Sequence, residues 1–335
     1  MNPLAGQDEY ETLETFFSNI DLSFAEKTIH ECFHTCGPGR PPRNTLGVFR
    51  SFLVMRMKGV RSLREMSRLL NVDPRLRWLC LIKEGEKGYP RSVLSRFTKR
   101  VGGERLRRII EEKVAYLLKQ KKVKDVDAVF DASFIKAWSI RHPRDSRKGY
   151  SDREAKVGRT GRTYCLGYKL HLSIDFERKL PLASIVAPAN QNEKKHSPTL
   201  LERTKQVLQK AGAKLRSVTA DSQYSSRKLR ESVDEAVIPY PANQKRGVKG
   251  LLRVDKKFRA HGPADQKRKY HKRPSIEAVY SFLKTQYSMV VNKVRGVKNV
   301  AIYALYSLLS HVLTREAAEN IGRPDKATSP TYFNT

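Results

Sequence analysis

Three acidic residues in this chain fall where strand-like or helix-like segments end or begin. Asp131 ends a strand-like run in Phe130-Asp131-Ala132-Ser133, and Asp221 ends another in Thr219-Ala220-Asp221-Ser222. Glu277 lies in the first turns of a late helix. Strand ends form one rim of an α/β sheet, and carboxylates gathered there suit a hard divalent metal. Mg2+ takes oxygen ligands, using one or two carboxylates with waters and substrate phosphate. A pair of such ions, about 3.5–4 Å apart, clamps the attacking and leaving oxygens of an in-line displacement at phosphorus. The protein then needs no nucleophile of its own. Taken singly, each acid reads first as a surface cap or an ion-pair partner. Asp127 and Asp175 also lie on or near strand ends and are assigned no role.

The surroundings of Glu277 carry more information. Tyr270, Arg273, Glu277 and Lys284 are separated by two, three and six residues. Ile276, Val279, Tyr280 and Leu283 form the apolar stripe of the helix. Glu277 and Lys284, seven residues apart, share one edge of that stripe. Pro274 suits the first helical position, and Arg273 before it is expected to be extended. Tyr270 and Arg273 then lead into the positive helix end, where a phosphate could bind.

The charge balance agrees with a phosphate partner. The chain has 335 residues and a formal net charge of +32, with basic residues spread along its whole length. With 39% hydrophobic residues it can bury a core, so it is no disordered basic tail. Such a charge implies a polyanion. No apolar run reaches the roughly 18 residues of a membrane span. The N-terminus is acidic and polar, unlike a secretory signal. Nucleic acid is favoured over membrane, and a cytoplasmic location is expected. The four cysteines are few and irregularly spaced, as in a reducing compartment. His30, Cys32, His34 and Cys36 alternate, but match no common structural zinc pattern, so a helical segment is expected there.

Elements able to position these residues can be read in order. Residues 1–120 read as a helical region. Leu46, Phe49, Leu53 and Met57 recur at helical spacing, and Ser62 with Glu65 has the form of a capping box. Further helices are expected at 92–100 and 106–119, parted by Gly102-Gly103. This region is either a helix-turn-helix, with Arg61, Arg64, Arg68, Arg91, Arg96 and Lys99 on DNA, or a packing and dimerisation module. Strands follow at 123–131, 164–176 and 180–187, then a helix from Lys194 ending at Gly212. A strand at 215–220, a helix at 225–232 and a strand at 236–239 complete the alternation. This order argues for a mixed sheet with helices on both faces. Residues 141–162 and 241–272 lack apolar periodicity and read as basic loops. An amphipathic helix at 301–315 is expected to pack on the sheet, and residues 321–335 to form a flexible tail. The domain reading is therefore 1–120, 121–320 and 321–335.

At Tyr270, Arg273, Glu277 and Lys284 the sequence resembles the DDE transposases of insertion sequences, one group of which carries these residues at this spacing. Gly167 to Leu172 resembles the family's second strand, and Leu182 to Asn190 its third. Gly39-Arg40-Pro41-Pro42 before an apolar helix resembles its N-terminal region. The resemblance implies an RNase H-like α/β fold, a mixed β-sheet flanked by helices and preceded by an all-α region. It implies that Asp131, Asp221 and Glu277 bind two Mg2+ ions, with Mn2+ able to substitute. It implies that Tyr270, Arg273 and Lys284 hold terminal phosphates. It implies binding of double-stranded DNA at terminal inverted repeats, strand cleavage, and 3′-hydroxyl transfer into target DNA by a homodimer. Some relatives insert a β-rich domain before the Glu helix, and here only about forty residues separate Tyr240 from Glu277. Trp138 is read as a core residue, with a base-stacking platform as the alternative. Two rival readings remain: another RNase H-like nuclease, such as a junction resolvase, and a non-catalytic DNA-binding relic.

Overall fold

Capping and apolar spacing build the first helices as expected. The structure is a computed structural model and describes residues 9–33, 42–141, 144, 149–161, 163–239, 268–290 and 293–328. Helices α1 (Glu9–Ser18) and α2 (Ser23–Phe33) precede α3 (Thr45–Met57), which starts where the Asn44 side chain accepts the Gly47 N–H at 2.9 Å. Ser62 accepts the Glu65 N–H at 3.2 Å to start α4 (Leu63–Val72), and Glu65 reaches back to the Arg61 N–H at 3.1 Å. This is a capping box displaced by one residue. Asp73 and Pro74 then end α4 and open α5 (Pro74–Leu79). Helix α6 (Arg91–Gln120) is interrupted at Gly102, whose φ of +69° suits glycine. Cys32 lies within α2, its thiol bonded to the Thr28 carbonyl at 3.2 Å. His34 and Cys36 lie outside the described residues.

The chain divides into two units, Met1–Lys113 with Ser281–Thr335, and Val114–Tyr280. In the first unit, α3 is paired with the last helix of the chain, α10 (Val297–Asn320). Both are buried on nearly every side, and Phe52 stacks on Tyr306 with ring centroids 4.8 Å apart. The last helix is thus longer than 301–315, and it packs with α3 and α1 where packing on the sheet was expected. Two of its buried hydroxyls are satisfied by backbone carbonyls, Ser307 on Tyr287 and Thr314 on Ser310, each at 2.8 Å. That lets a helix with little amphipathic contrast be enclosed. Two of the first unit's cations are structural. Arg56 is 1% exposed and bonds the Val60 carbonyl, and Lys113 pairs with Glu316 at 2.5 Å. Arg61, Arg64, Arg68, Arg91, Arg96 and Lys99 are exposed. A cleft of about 660 Å3 in this unit is lined by Arg43, Arg96, Lys99 and Arg100 with Phe33 and Phe97.

The second unit is a mixed sheet. Its elements are β1 (Asp125–Lys136), β2 (Lys156–Thr160), β3 (Thr163–Asp175), β4 (Pro181–Pro188), α7 (Glu193–Ala211), β5 (Lys214–Ala220), α8 (Arg227–Glu231) and β6 (Glu235–Val237). The strand order is β4-β3-β1-β5-β6, with β2 paired to the start of β3. β3 runs antiparallel to β1 and β4, while β1, β5 and β6 are parallel. This is the RNase H-like order. Asn192 caps α7, and Gly212 ends it in the left-handed region at φ +73°. Helix α9 (Pro274–Thr285) begins in this unit.

Two expectations are corrected here. Asp131 does not end β1, which continues to Lys136 because β3 goes on pairing with it up to Gly167. Residues 141–162 are not all loop: β2 forms a hairpin with β3, held by backbone pairing and not by buried apolar side chains. Alternation fails as a signal in a strand whose pattern is mostly exposed. Residues 241–267 of the basic stretch, and most of the interval where relatives carry a β-rich insertion, lie outside the described residues.

Candidate active site

The parallel pairing of β1 with β5 stops at Phe130 opposite Ala220. Asp131 and Asp221 are the next residues on each strand, so the register brings them side by side on one face. Beyond this point β1 has β3 on one side only, which opens the rim where the two carboxylates sit. Tyr280 of α9 closes the other flank. Its single hydroxyl proton is shared between the carbonyls of Asp131 at 2.7 Å and Leu170 at 3.0 Å. Ile276, Val279 and Tyr280 are buried, as the apolar stripe required.

Arg273 joins the acids. Its guanidinium lies 3.5 Å from Asp131 and 3.2 Å from Glu277. The chain reaches it by turns and not by the extended lead-in expected before Pro274: the Arg273 N–H donates to Tyr270 and the Ile276 N–H to Arg273. Proline removes one donor at position 274, and the flanking turn bonds go around it. Lys272 and Lys269 anchor this approach, pairing with Asp127 and Glu235 at 2.6 Å each.

Burial pushes the Asp131 carboxyl up, against the pull of Arg273, to about 6. Burial likewise raises Asp221, again opposed by Arg273. Asp221 also caps the 3-10 turn Ser222–Tyr224, accepting the Gln223 N–H at 3.0 Å. Tyr270 is raised by burial and shares the field of Arg273 and all three acids. Lys284 stands in the last turn of α9, seven residues after Glu277.

Several residues of the site carry no motif signal. Glu193, at the start of α7, is buried and pairs with Lys169 at 2.6 Å. The Gln223 amide, oriented with its nitrogen towards Glu193, donates at 2.8 Å. That bond ties the turn after Asp221 to α7. Behind it, His171 Nδ1 lies 3.2 Å from the Tyr224 hydroxyl. Burial, helped by His196 and Lys169, drives His171 down to about 3, so this imidazole is neutral. These contacts join residues far apart in sequence, and no local pattern announces them.

Trp138 is corrected: it is 46% exposed and not in the core. Among the described residues, no three His, Cys, Asp or Glu side chains gather tightly enough to hold a metal ion. Arg273 supplies the positive charge between Asp131 and Glu277, whose side chain is 55% exposed. The donor set nevertheless fits a hard dication: oxygen ligands only, with the buried Asp131 and the half-buried Asp221 both held above their ordinary range. Among the described residues, no helix is long and apolar enough to cross a membrane.

Comparisons with known proteins match the chain in two stretches. The family described as Transposase DDE domain matches residues 122–313, and that described as Transposase domain (DUF772) matches residues 4–100. No curated protein matches the chain significantly. Among solved structures, a piggyBac transposase synaptic complex with hairpin DNA is 10% identical, with TM-score 0.46 over 98% of this chain and 79% of that one. The Mos1 strand transfer complex is 11% identical, with TM-score 0.20 over 86% and 81%. A mariner Mos1 paired end complex with Mg is 14% identical, with TM-score 0.21 over 86% and 82%. More than half of the chain, from three residues before β1 through most of the last helix, is matched by one family, and the chain belongs to the DDE-domain transposases.

Proposed function

We propose that this transposase binds the terminal inverted repeats of an insertion sequence, cleaves a strand at each end and joins the freed 3′-hydroxyl to target DNA. The observation that carries this reading is the placement of Asp131 and Asp221 one residue past the last β1–β5 pair, with Arg273 bridging to Glu277. Asp131, Asp221 and Glu277 would hold divalent metal, Mg2+ or Mn2+, as two ions. The metal supplies Lewis acidity at phosphorus and lowers the cost of an attacking hydroxide or alkoxide.

The chain's own residues do the positioning. Burial keeps Asp131 and Asp221 short of water, so their negative charge is poorly compensated and attracts a cation. Arg273 and Tyr270 approach from the N-terminal side of α9, where a phosphate oxygen meets both a guanidinium and the helix end. Lys284 offers a further charge along the same helix. The Lys272–Asp127 and Lys269–Glu235 pairs hold that approach against the sheet. The helical unit, with exposed Arg61, Arg64, Arg68, Arg91, Arg96 and Lys99, would recognise the DNA ends. A homodimer would hold two ends together. The domains would run 1–120 for end binding or dimerisation, 121–320 for catalysis and 321–335 as a tail.

The test uses a labelled duplex carrying the terminal repeat that flanks the coding sequence, with purified protein and Mg2+ or Mn2+. Cuts at the repeat boundary and joined products support the reading. Cuts without joining point to another RNase H-like nuclease. Binding without cuts in either metal points to a non-catalytic relic.

A further inference from the structure

Exposed apolar surface is concentrated in one stretch of the second unit. Of nine large hydrophobic side chains exposed among the described residues, five lie between positions 138 and 164: Trp138, Ile140, Tyr150, Val157 and Tyr164. Scattered single residues would need no explanation, but a cluster marks an interaction surface. Tyr164 is the most exposed of the nine, at 71%.

Strand register gives this surface a direction. In the β2–β3 hairpin, Arg159 stands opposite Tyr164 and Val157 opposite Leu166. Further along β3, Tyr168 stands opposite Ile135, Leu170 opposite Ser133 and Leu172 opposite Asp131. Opposed residues share a face, as do alternate residues of one strand. Val157, Arg159 and Tyr164 therefore stand on the face that bears Asp131. Leu172 lies eight residue steps along β3 from Tyr164, a span of about 27 Å at about 3.4 Å per step.

The ribbon is braced. Buried Tyr168 donates its hydroxyl to Asp152 at 2.8 Å, and Asp152 also accepts the Glu154 N–H at 3.2 Å. A β-carbon added at Gly158 would sit 2.4 Å from the Ala189 carbonyl oxygen, so β2 lies directly against the chain just past β4. Arg153, Lys156 and Arg159 are exposed on the same segment. A second copy of this chain would bring its own +32 charge to that surface, whereas DNA brings the opposite sign.

We propose that the β2–β3 ribbon is a second DNA contact, resting on the function proposed above. Duplex bound at the carboxylates would continue for about eight base pairs, at 3.4 Å per step, to reach the ribbon. There Arg159 meets phosphate, and Tyr164 with Val157 packs into a groove that admits a two-stranded ribbon.

Hydroxyl-radical footprinting of the terminal-repeat duplex, with the full chain and no divalent metal, tests this. The double variant Tyr164→Ala, Arg159→Ala is expected to lose protection about eight base pairs from the cut while keeping it at the cut, with affinity about tenfold lower. The single variant Arg159→Glu should erase the same patch, which separates a lost contact from a folding defect. Protection about eight base pairs from the cut that stays whole in both variants overturns the ribbon and leaves the transposase reading standing. So does an unchanged footprint with self-association that the double variant abolishes, since a second copy would then cover the surface. No footprint with the unsubstituted protein overturns both.

Discussion

Asp127 and Asp131 stand four residues apart on β1, on the same face, and both are buried. Their surroundings differ. Asp127 receives Arg216 and Ser217 from β5 and Lys272 from the approach to α9. Burial pushes its carboxyl up, but those hydrogen bonds outweigh burial and hold it well below the usual range. Asp131 has the outlying contact of Arg273 at 3.5 Å and the backbone N–H of Ala132, and burial prevails. The difference follows from where β5 ends: Arg216 and Ser217 lie within its paired length, while past Ala220 the strand has no side chains left to offer. One buried carboxylate is a structural clamp, and the other, in the function proposed above, would take a cation.

The comparison breaks most plainly on chemistry. Asp131→Asn should lower strand cleavage by about 10³-fold or more, a loss of several kcal/mol of transition-state stabilisation, while duplex binding survives. Asp221→Ala and Glu277→Ala should do the same in the labelled-fragment assay. Normal cutting by any one of them removes that residue from the site. Asp127→Asn should act on stability instead, costing about 3 kcal/mol in denaturant melts by leaving Lys272 without its buried partner. Cleavage at low temperature should persist, and loss of cleavage without loss of stability would contradict the clamp.

Stability against pH sharpens the contrast. A carboxyl raised in the folded protein binds its proton more tightly than in the unfolded chain, so its ionisation weakens the fold as pH rises through about 4 to 6. Metal-free Asp131→Asn should therefore be more stable than the unsubstituted protein by about 3 kcal/mol at pH 8, with little gain near pH 3.5. Asp127 has the opposite sign: its contribution is complete above the ordinary carboxylate range and fades as pH falls below it. Melts at the two pH values decide this, and an Asp131→Asn variant less stable at pH 8 would show Arg273 to be full compensation. The smallest effect is expected at Lys284→Ala, which should reduce the salt dependence of end binding by about one unit of log-log slope. An unchanged slope would place that ammonium away from phosphate.

Local pattern was informative where structure is local. The capping box at Ser62 and Glu65, the break at Gly102, the left-handed stop at Gly212 and the apolar stripe of α9 each depend on residues within a few positions of one another. An RNase H-like mixed sheet was expected from the family resemblance, while the alternation of elements alone argued only for a mixed sheet, and the strand order β4-β3-β1-β5-β6 came from the structure. The β2 strand was missed because its side chains are mostly exposed, so no alternating burial marks it. Trp138 was misplaced because a large aromatic is usually buried, and an interaction surface is where that rule fails.

By itself the sequence determined a basic, foldable chain, its helical and mixed-sheet halves, and the spacing of Tyr270, Arg273, Glu277 and Lys284 on and before one helix. Tertiary structure decided which acids differ in kind. Asp127, Asp131 and Asp175 look alike in sequence, and only the end of the β1–β5 pairing, the reach of Lys272 across 145 positions and the turn that satisfies Asp175 tell them apart. A carboxylate's protonation depends on burial and on partners brought from distant strands, and those are properties of the fold and not of the neighbouring residues.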